Sequence, residues 1–323
     1  MALLCLPLGV LPYLGAVACW MIGGCLVFLL TVLCAWPRKA PRVFDVVLYS
    51  LAIPAVIMNV KFGQTGTWVA AVLGFGLMTL ERRPVVSGIL LGLMVAKPQL
   101  GLLIPIALIA GRRWTALVSA AATAATLIAA TVAWFGMAPW WAFVERMPVL
   151  QQRILEDGSG VWQLFTSVFV AVRHLPASVT AAYAAQAAAA VVAAVLVGWC
   201  WSREVPQSAK NAALMMGLFF ATPYAHVYDL VATALVPLWL WQAMPSKGPR
   251  RGVGLLAFTV LILAPSLMTL AVVGFGVSIG FLLLLPAFVY AVYICLRSKR
   301  HGDARSSMNV VGATGIEPVT PPV

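Results

Sequence analysis

Apolar residues run along this chain in long blocks, and the few charged residues fall between them. Residues 13–36 make a first apolar span, ending at Arg38, Lys39 and Arg42. Residues 44–58 make a short second one, followed by Asn59, Lys61, Gly63 and Gln64, and residues 65–80 lead to Glu81, Arg82 and Arg83. Two half-length segments, 85–95 and 98–110, meet at Lys97 and Pro98 and end at Arg112 and Arg113. A full span, 115–135, precedes the long loop 136–178, and 179–201 spans again to reach Arg203 and Lys210. Segments 211–222 and 229–243 flank the turn TPYAHVYD and lead to Lys247, Arg250 and Arg251. Spans 252–271 and 276–296 complete the set before Arg297, Lys299 and Arg300. Runs such as AAYAAQAAAAVVAAVLVGWCW are apolar on every face, as in a helix surrounded by lipid, and the alternation of a membrane barrel is missing. The pattern predicts an all-α, polytopic integral membrane protein of about 11 helical segments, including short broken hairpins.

Composition agrees: 63% of the 323 residues are hydrophobic and 9% are charged, against about 45–50% and about 25% in a soluble domain. A water-soluble fold is excluded. The 26 glycines and 21 prolines sit within apolar runs, where neighbouring helices can satisfy the backbone groups they free. The six cysteines show no CxxC spacing and read as small core residues.

A net charge of +12 raises nucleic acid as a partner, but no basic stretch is interleaved with aromatics, so the cations are topology signals. Alternating sides along the spans leaves only Lys61, Lys97, Arg146, Arg153 and Arg173 of the 21 lysines and arginines on one face. The rich face is then cytoplasmic. This predicts a multi-pass protein of a bacterial cytoplasmic membrane, with its N-terminus outside, its C-terminus in the cytoplasm and its polar turns facing outward. Residues 1–300 form the membrane domain with outer loop 136–178. The polar tail 301–323 is expected to be disordered in the cytoplasm. Its ending GATGIEPVTPPV resembles a read-through tail found on unrelated bacterial reading frames.

Three outer turns concentrate the polar chemistry. In VAKPQLG the flanking segments reach only about 17–20 Å into a core about 30 Å thick, so Lys97 should sit below the headgroups. An ammonium at that depth suits a lipid-linked phosphate or pyrophosphate, against the plainer reading of a snorkelling anchor. In TPYAHVYDL, Thr222, Tyr224, His226, Tyr228 and Asp229 crowd between two short helices; His226 could orient a hydroxyl or phosphate, and Asp229 could cap the next helix or hold His226. In NVKFGQTG, Asn59, Lys61 and Gln64 line a turn that Gly63 and Gly66 let approach a ligand closely. Within the loop, Trp140, Trp141, Phe143, Val144, Met147, Val149 and Leu150 predict an amphipathic helix in the headgroup layer, with Glu145, Arg146, Arg153, Glu156 and Asp157 facing water. Neither a Gly-rich phosphate loop nor metal-ligand spacing among His174, His226 and His301 is found.

The stretch NVKFGQTGTWVAAVLGFGLMTLERRPVVSGILLGLMVAKPQLGLLIPIALIAGRRW resembles the core of glycosyltransferase family 87, the DUF2029 type of mannosyltransferases with GT-C architecture. GLFFATPYAHVYDLVATALVPLW is similar to that family's C-terminal polar turn, so the resemblance covers about residues 1–245. It implies transfer of a hexose, usually mannose, from a polyprenyl-phosphate donor to a lipid or glycan acceptor on the outer leaflet, with inversion. The lipid-linked sugar is a substrate, and neither a cofactor nor a metal is expected. The resemblance implies that Lys97 lies near the donor phosphate and that Gln64 and His226 border the sugar or acceptor. Lys61, Tyr224 and Asp229 join them as binding candidates, and His226 is the catalytic candidate. The family's base is an aspartate upstream of the helix that LPYLGAVACWMIGG resembles, and no residue here stands at that motif. The chain is therefore expected to lack an N-terminal part, through a misassigned start or as an inactive remnant. The alternatives are a secondary transporter or lipid flippase, which also places broken helices around polar turns, and a membrane subunit without chemistry.

Overall fold

A computed structural model describes residues 2–37, 42–158, 162–244 and 248–297. The tail 301–323 and Arg38, Lys39, Lys247, Lys299, Arg300 and Arg305 lie outside the described residues. Among those described, the chain is a helical bundle without a β-strand, so the expected all-α membrane architecture is what forms. A short α1 (Ala2–Cys5) leads to the long α2 (Tyr13–Ala35), then α3 (Val43–Ala52), α4 (Pro54–Lys61), α5 (Gly66–Thr79) and α6 (Pro84–Gly92). After Lys97 come α7 (Ile104–Ala110) and α8 (Trp114–Phe135). The loop holds α9 (Ala138–Gln151) and α10 (Val168–Arg173), followed by α11 (Val179–Ser202) and α12 (Gln207–Ala221). A 3₁₀ segment, Val227–Ala234, runs into α13 (Leu235–Ala243), and α14 (Pro249–Phe275) and α15 (Gly280–Arg297) close the bundle.

Five helices, α2, α8, α11, α14 and α15, are long and apolar enough to cross a bilayer. The span expected at 44–58 is instead two helices, α3 and α4, bent by 57°. The cause is local: Pro54 offers no N–H to continue α3 and forces Ile53 into an extended conformation, φ −65° and ψ 122°. Short helices α12 and α13 make the centre of the core, joined by half of α15, and the long α2, α8 and α11 stand around it. Nearly every residue from Ala209 to Ala221 on α12 is buried, as are Leu230 to Leu240, whereas α8 is almost wholly exposed outside its contact with α6. That contact is made by Gly88 and Gly92 on one face of α6. A Cβ at Gly88 would stand 2.4 Å from the Ala116 carbonyl oxygen and one at Gly92 2.6 Å from that of Ala120. The small-xxx-small pattern lets the two backbones nearly touch where no hydrophobic gain exists between helices in lipid.

Contacts between helix ends set which turns share an end of the bundle. Arg113 donates to Glu81 at 3.2 Å and to Gln207 at 3.3 Å, and Trp201 donates to the Lys210 carbonyl at 2.9 Å. The Arg251 guanidinium lies over the Trp241 ring. The turns after α5, α7, α11 and α13 thus gather at one end with their cations. Thr65, Lys97, His226 and Ser278 gather at the other, where Ser278 donates to the Phe165 carbonyl at 3.2 Å. Segments 84–96 and 98–110 form the expected hairpin, because both flanking clusters lie at the same end.

The polar end is recessed. Gly24 of α2 is level with Thr67 and Trp68 of α5, so residues 13–23 continue past that level by about 16 Å at the helical rise. The polar turns thus lie below the free end of α2.

The loop helix α9 contains no buried residue, and Trp141, Phe143, Val144 and Leu150 are exposed. Its apolar side is uncovered by protein, as an interfacial helix requires. One expected water-facing acid differs: Glu156 accepts from the Tyr183 hydroxyl at 2.9 Å. The reason is that the chain past α9 tightens into a π turn, Gln152–Glu156, which carries Glu156 back onto α11.

Candidate functional site

The three polar turns, far apart in the chain, meet in the recess. The NVKFGQTG turn is built by Asn59, whose buried carboxamide oxygen accepts from the Gly66 N–H at 2.6 Å while Gln64 N–H bonds to the Asn59 carbonyl at 3.0 Å. Gly63, at φ +63°, supplies the left-handed residue that closes it. Gly66 itself must be glycine: a Cβ there would come within 2.2 Å of the Tyr228 carbonyl oxygen. Gly66→Ala is expected to push α5 off the 227–234 segment at a cost of about 1–3 kcal/mol, read as a lower unfolding midpoint in detergent.

Lys97 sits between two 3₁₀ turns, Leu93–Ala96 and Pro98–Leu100, because Pro98 stops the helix arriving from α6. Its ammonium pairs with the Asp229 carboxylate and reaches the Thr65 hydroxyl at 3.3 Å. It also stands 5.1 Å from the centre of the Tyr228 ring. The Lys97 side chain is 11% exposed and that of Asp229 1%, so the pair is withdrawn from bulk solvent.

Asp229 has two tasks, one for each oxygen. Oδ1 takes Lys97, and Oδ2 reaches back to accept from the N–H of His226, the residue that caps the 3₁₀ segment, at 3.0 Å. The sequence offered Asp229 as the cap of the next helix or as a partner of the His226 side chain; the structure makes His226 the cap residue and pairs Asp229 with Lys97 instead. His226 is 4% exposed. Its ring stacks on Tyr228 at 4.5 Å and meets Phe62 and Phe165 edge-on at 5.8 and 4.9 Å. Phe165 arrives from the outer loop, fastened by a bond of 2.9 Å from Thr166 N–H to the Ala225 carbonyl.

The recess therefore joins Lys97, Asp229, His226 and Tyr228 with Asn59, Thr65, Phe62 and Phe165. Gln64 borders it half-buried, with no side-chain hydrogen bond among the described residues. Lys61 is exposed at the end of α4. Tyr224 turns to the loop instead, packing on the small core of Leu155, Phe169, Val170 and Ala182. Thr65, Phe62 and Phe165 were missed in the sequence; only the adjacency of Phe62 and Thr65 to Gln64 hinted at the first two. Among the described residues, no three His, Cys, Asp or Glu side chains gather as metal ligands do. A single ammonium beside an apolar, aromatic wall suits one phosphate and the face of a sugar ring.

No curated protein and no solved structure matches the chain. A family model described as glycosyltransferase family 87 matches residues 1–226, from the N-terminus to the histidine of the recess. By that match over more than half its length, the chain belongs to glycosyltransferase family 87, and with it to the membrane glycosyltransferases.

Proposed function

We propose that this protein is a GT-C-type hexosyltransferase that takes mannose from a polyprenyl-phosphate donor and places it on a lipid or glycan acceptor at the outer face of a bacterial cytoplasmic membrane. The observation that carries this reading is the withdrawn Lys97 ammonium at the convergence of three polar turns. In the reaction the acceptor oxygen bonds to the anomeric carbon as the bond from that carbon to the phosphate oxygen breaks. The electron pair goes to the phosphate, whose growing negative charge Lys97 stabilises in a site of low dielectric. Asp229 and Thr65 hold the ammonium in place, and Phe62, Phe165 and Tyr228 give the sugar an aromatic surface. His226 orients the attacking hydroxyl, whose proton leaves with the released polyprenyl phosphate. Gln64 borders the sugar, and Lys61 lies at the rim, where the donor's charge would first arrive. In this orientation the end carrying the arginine clusters faces the cytoplasm. Family membership favours transfer over the transporter or flippase alternative.

The test supplies radiolabelled polyprenyl-phosphate-mannose to membranes containing the chain and to membranes without it. Label should move to a new lipid or glycan product only where the chain is present. Equal transfer in both, with the chain verified as inserted, would remove the reading.

A further inference from the structure

The opposite end of the bundle carries a second cavity. Between α14 and α15 lies a slot of about 590 Å³, within the range of about 300–1,000 Å³ typical of ligand sites. Its walls are apolar, and Val253, Leu256 and Val289 are more than half exposed along it, so it opens sideways from the bundle. Its floor is set by Tyr290, which lies flush on Gly254, where a Cβ would meet the ring at 2.5 Å, and donates to the Arg250 carbonyl at 3.1 Å. Two cations stand at one end. Arg250 is the second residue of α14 and Arg297 the last of α15, and both line the cavity. The Arg297 guanidinium lies 5.6 Å from the Tyr293 ring centre. Among the described residues neither arginine has a carboxylate partner.

The placement is independent of the recess. The α14–α15 turn touches the recess through Ser278 and Phe165, so the arginine end lies a full helix away, about 27 Å along the 18 residues of α15. Helix ends with arginines mark the headgroup level of a spanning bundle, and a basic pocket between such helices captures anionic headgroups. A soluble anion would satisfy the guanidiniums and leave the slot unfilled. A neutral lipid would fill the slot and leave the guanidiniums unpaired.

From this we infer that the α14–α15 slot binds an anionic glycerophospholipid of the leaflet at the cation-rich end. Its phosphate is held by Arg250 and Arg297 and one acyl chain lies along Val253, Leu256 and Val289. The lipid would add to the direct α14–α15 contact that Tyr290 already makes with Gly254 and Arg250 at that end.

Native mass spectrometry of the full chain in detergent tests this, with equimolar phosphatidylglycerol and phosphatidylcholine of the same acyl chains. The protein should retain phosphatidylglycerol by about tenfold over phosphatidylcholine, roughly what two interfacial cations supply. The preference should survive in the double variant Arg250→Lys/Arg297→Lys and vanish in Arg250→Gln/Arg297→Gln. Val289→Trp, which fills the slot from an exposed position, should lower retention of both lipids. Equal retention of the two lipids by the unaltered protein, a preference that persists in the glutamine variant, or undiminished binding in Val289→Trp would each overturn the assignment.

Discussion

Lys97→Met is expected to abolish hexose transfer and to destabilise the protein at the same time, and the two losses can be separated. Stability falls because the Asp229 carboxylate, 1% exposed, would keep its burial and lose its cation. Breaking a buried pair from one side costs about 3–5 kcal/mol. Transfer falls because the leaving phosphate would develop charge opposite a methyl group, and losing one such stabilising donor typically costs about 100- to 1,000-fold. Neutralising both partners distinguishes the effects. In Lys97→Met/Asp229→Asn the amide oxygen can still accept from the His226 N–H, so the cap survives and no buried charge is orphaned. The double variant should regain most of the unfolding midpoint lost by Lys97→Met, while mannose transfer stays absent. If transfer returned with stability, Lys97 would be a structural partner of Asp229 and its assignment to the donor phosphate would fail.

Much of this architecture could be read from the chain because lipid imposes simple rules. Long apolar spans have one reading, and arginine clusters on both sides of a segment too short to cross force a hairpin, as Glu81 and Arg113 demonstrate by touching. The break at Ile53 was obscured because segment 44–58 is apolar apart from Asp45, Tyr49 and Ser50, none of them at the break; only Pro54 marks it, and proline at that place is also compatible with a kinked single helix. For the site, the three turns could be singled out individually from their polar residues at membrane depth. Their convergence could not. Lys97 and Asp229 are 132 positions apart, and no periodicity encodes a contact of that range. Phe165 was least accessible of all, since its approach to His226 depends on the backbone bond from Thr166 to Ala225, to which side-chain type contributes nothing. Tyr224 shows the converse: its neighbours in TPYAHVYDL suggested a shared site, but the turn sends Tyr224 to the loop core and His226 to the recess.

His226→Phe should reduce transfer by at least about 100-fold while leaving the fold intact, the loss expected when a positioned imidazole stops assisting a hydroxyl. Phenylalanine is the informative substitution because the ring's surroundings are aromatic. Stacking on Tyr228 at 4.5 Å and the edge contacts with Phe62 and Phe165 can be kept by a six-membered ring, whereas alanine would leave a cavity and lower stability by its own route. The backbone contributions of residue 226, the N–H to Asp229 and the carbonyl to the Asp229 N–H at 2.8 Å, do not depend on its side chain. Lys97 should therefore keep its partner, and the donor's KM should change little while kcat falls. A matching rise in donor KM with kcat preserved would instead make His226 part of the aromatic platform under the sugar. A variant that transfers mannose at the rate of the unaltered protein would leave the imidazole a structural role, in packing and in the capping box of the 3₁₀ segment, and the recess would then need its hydroxyl-orienting group from another residue.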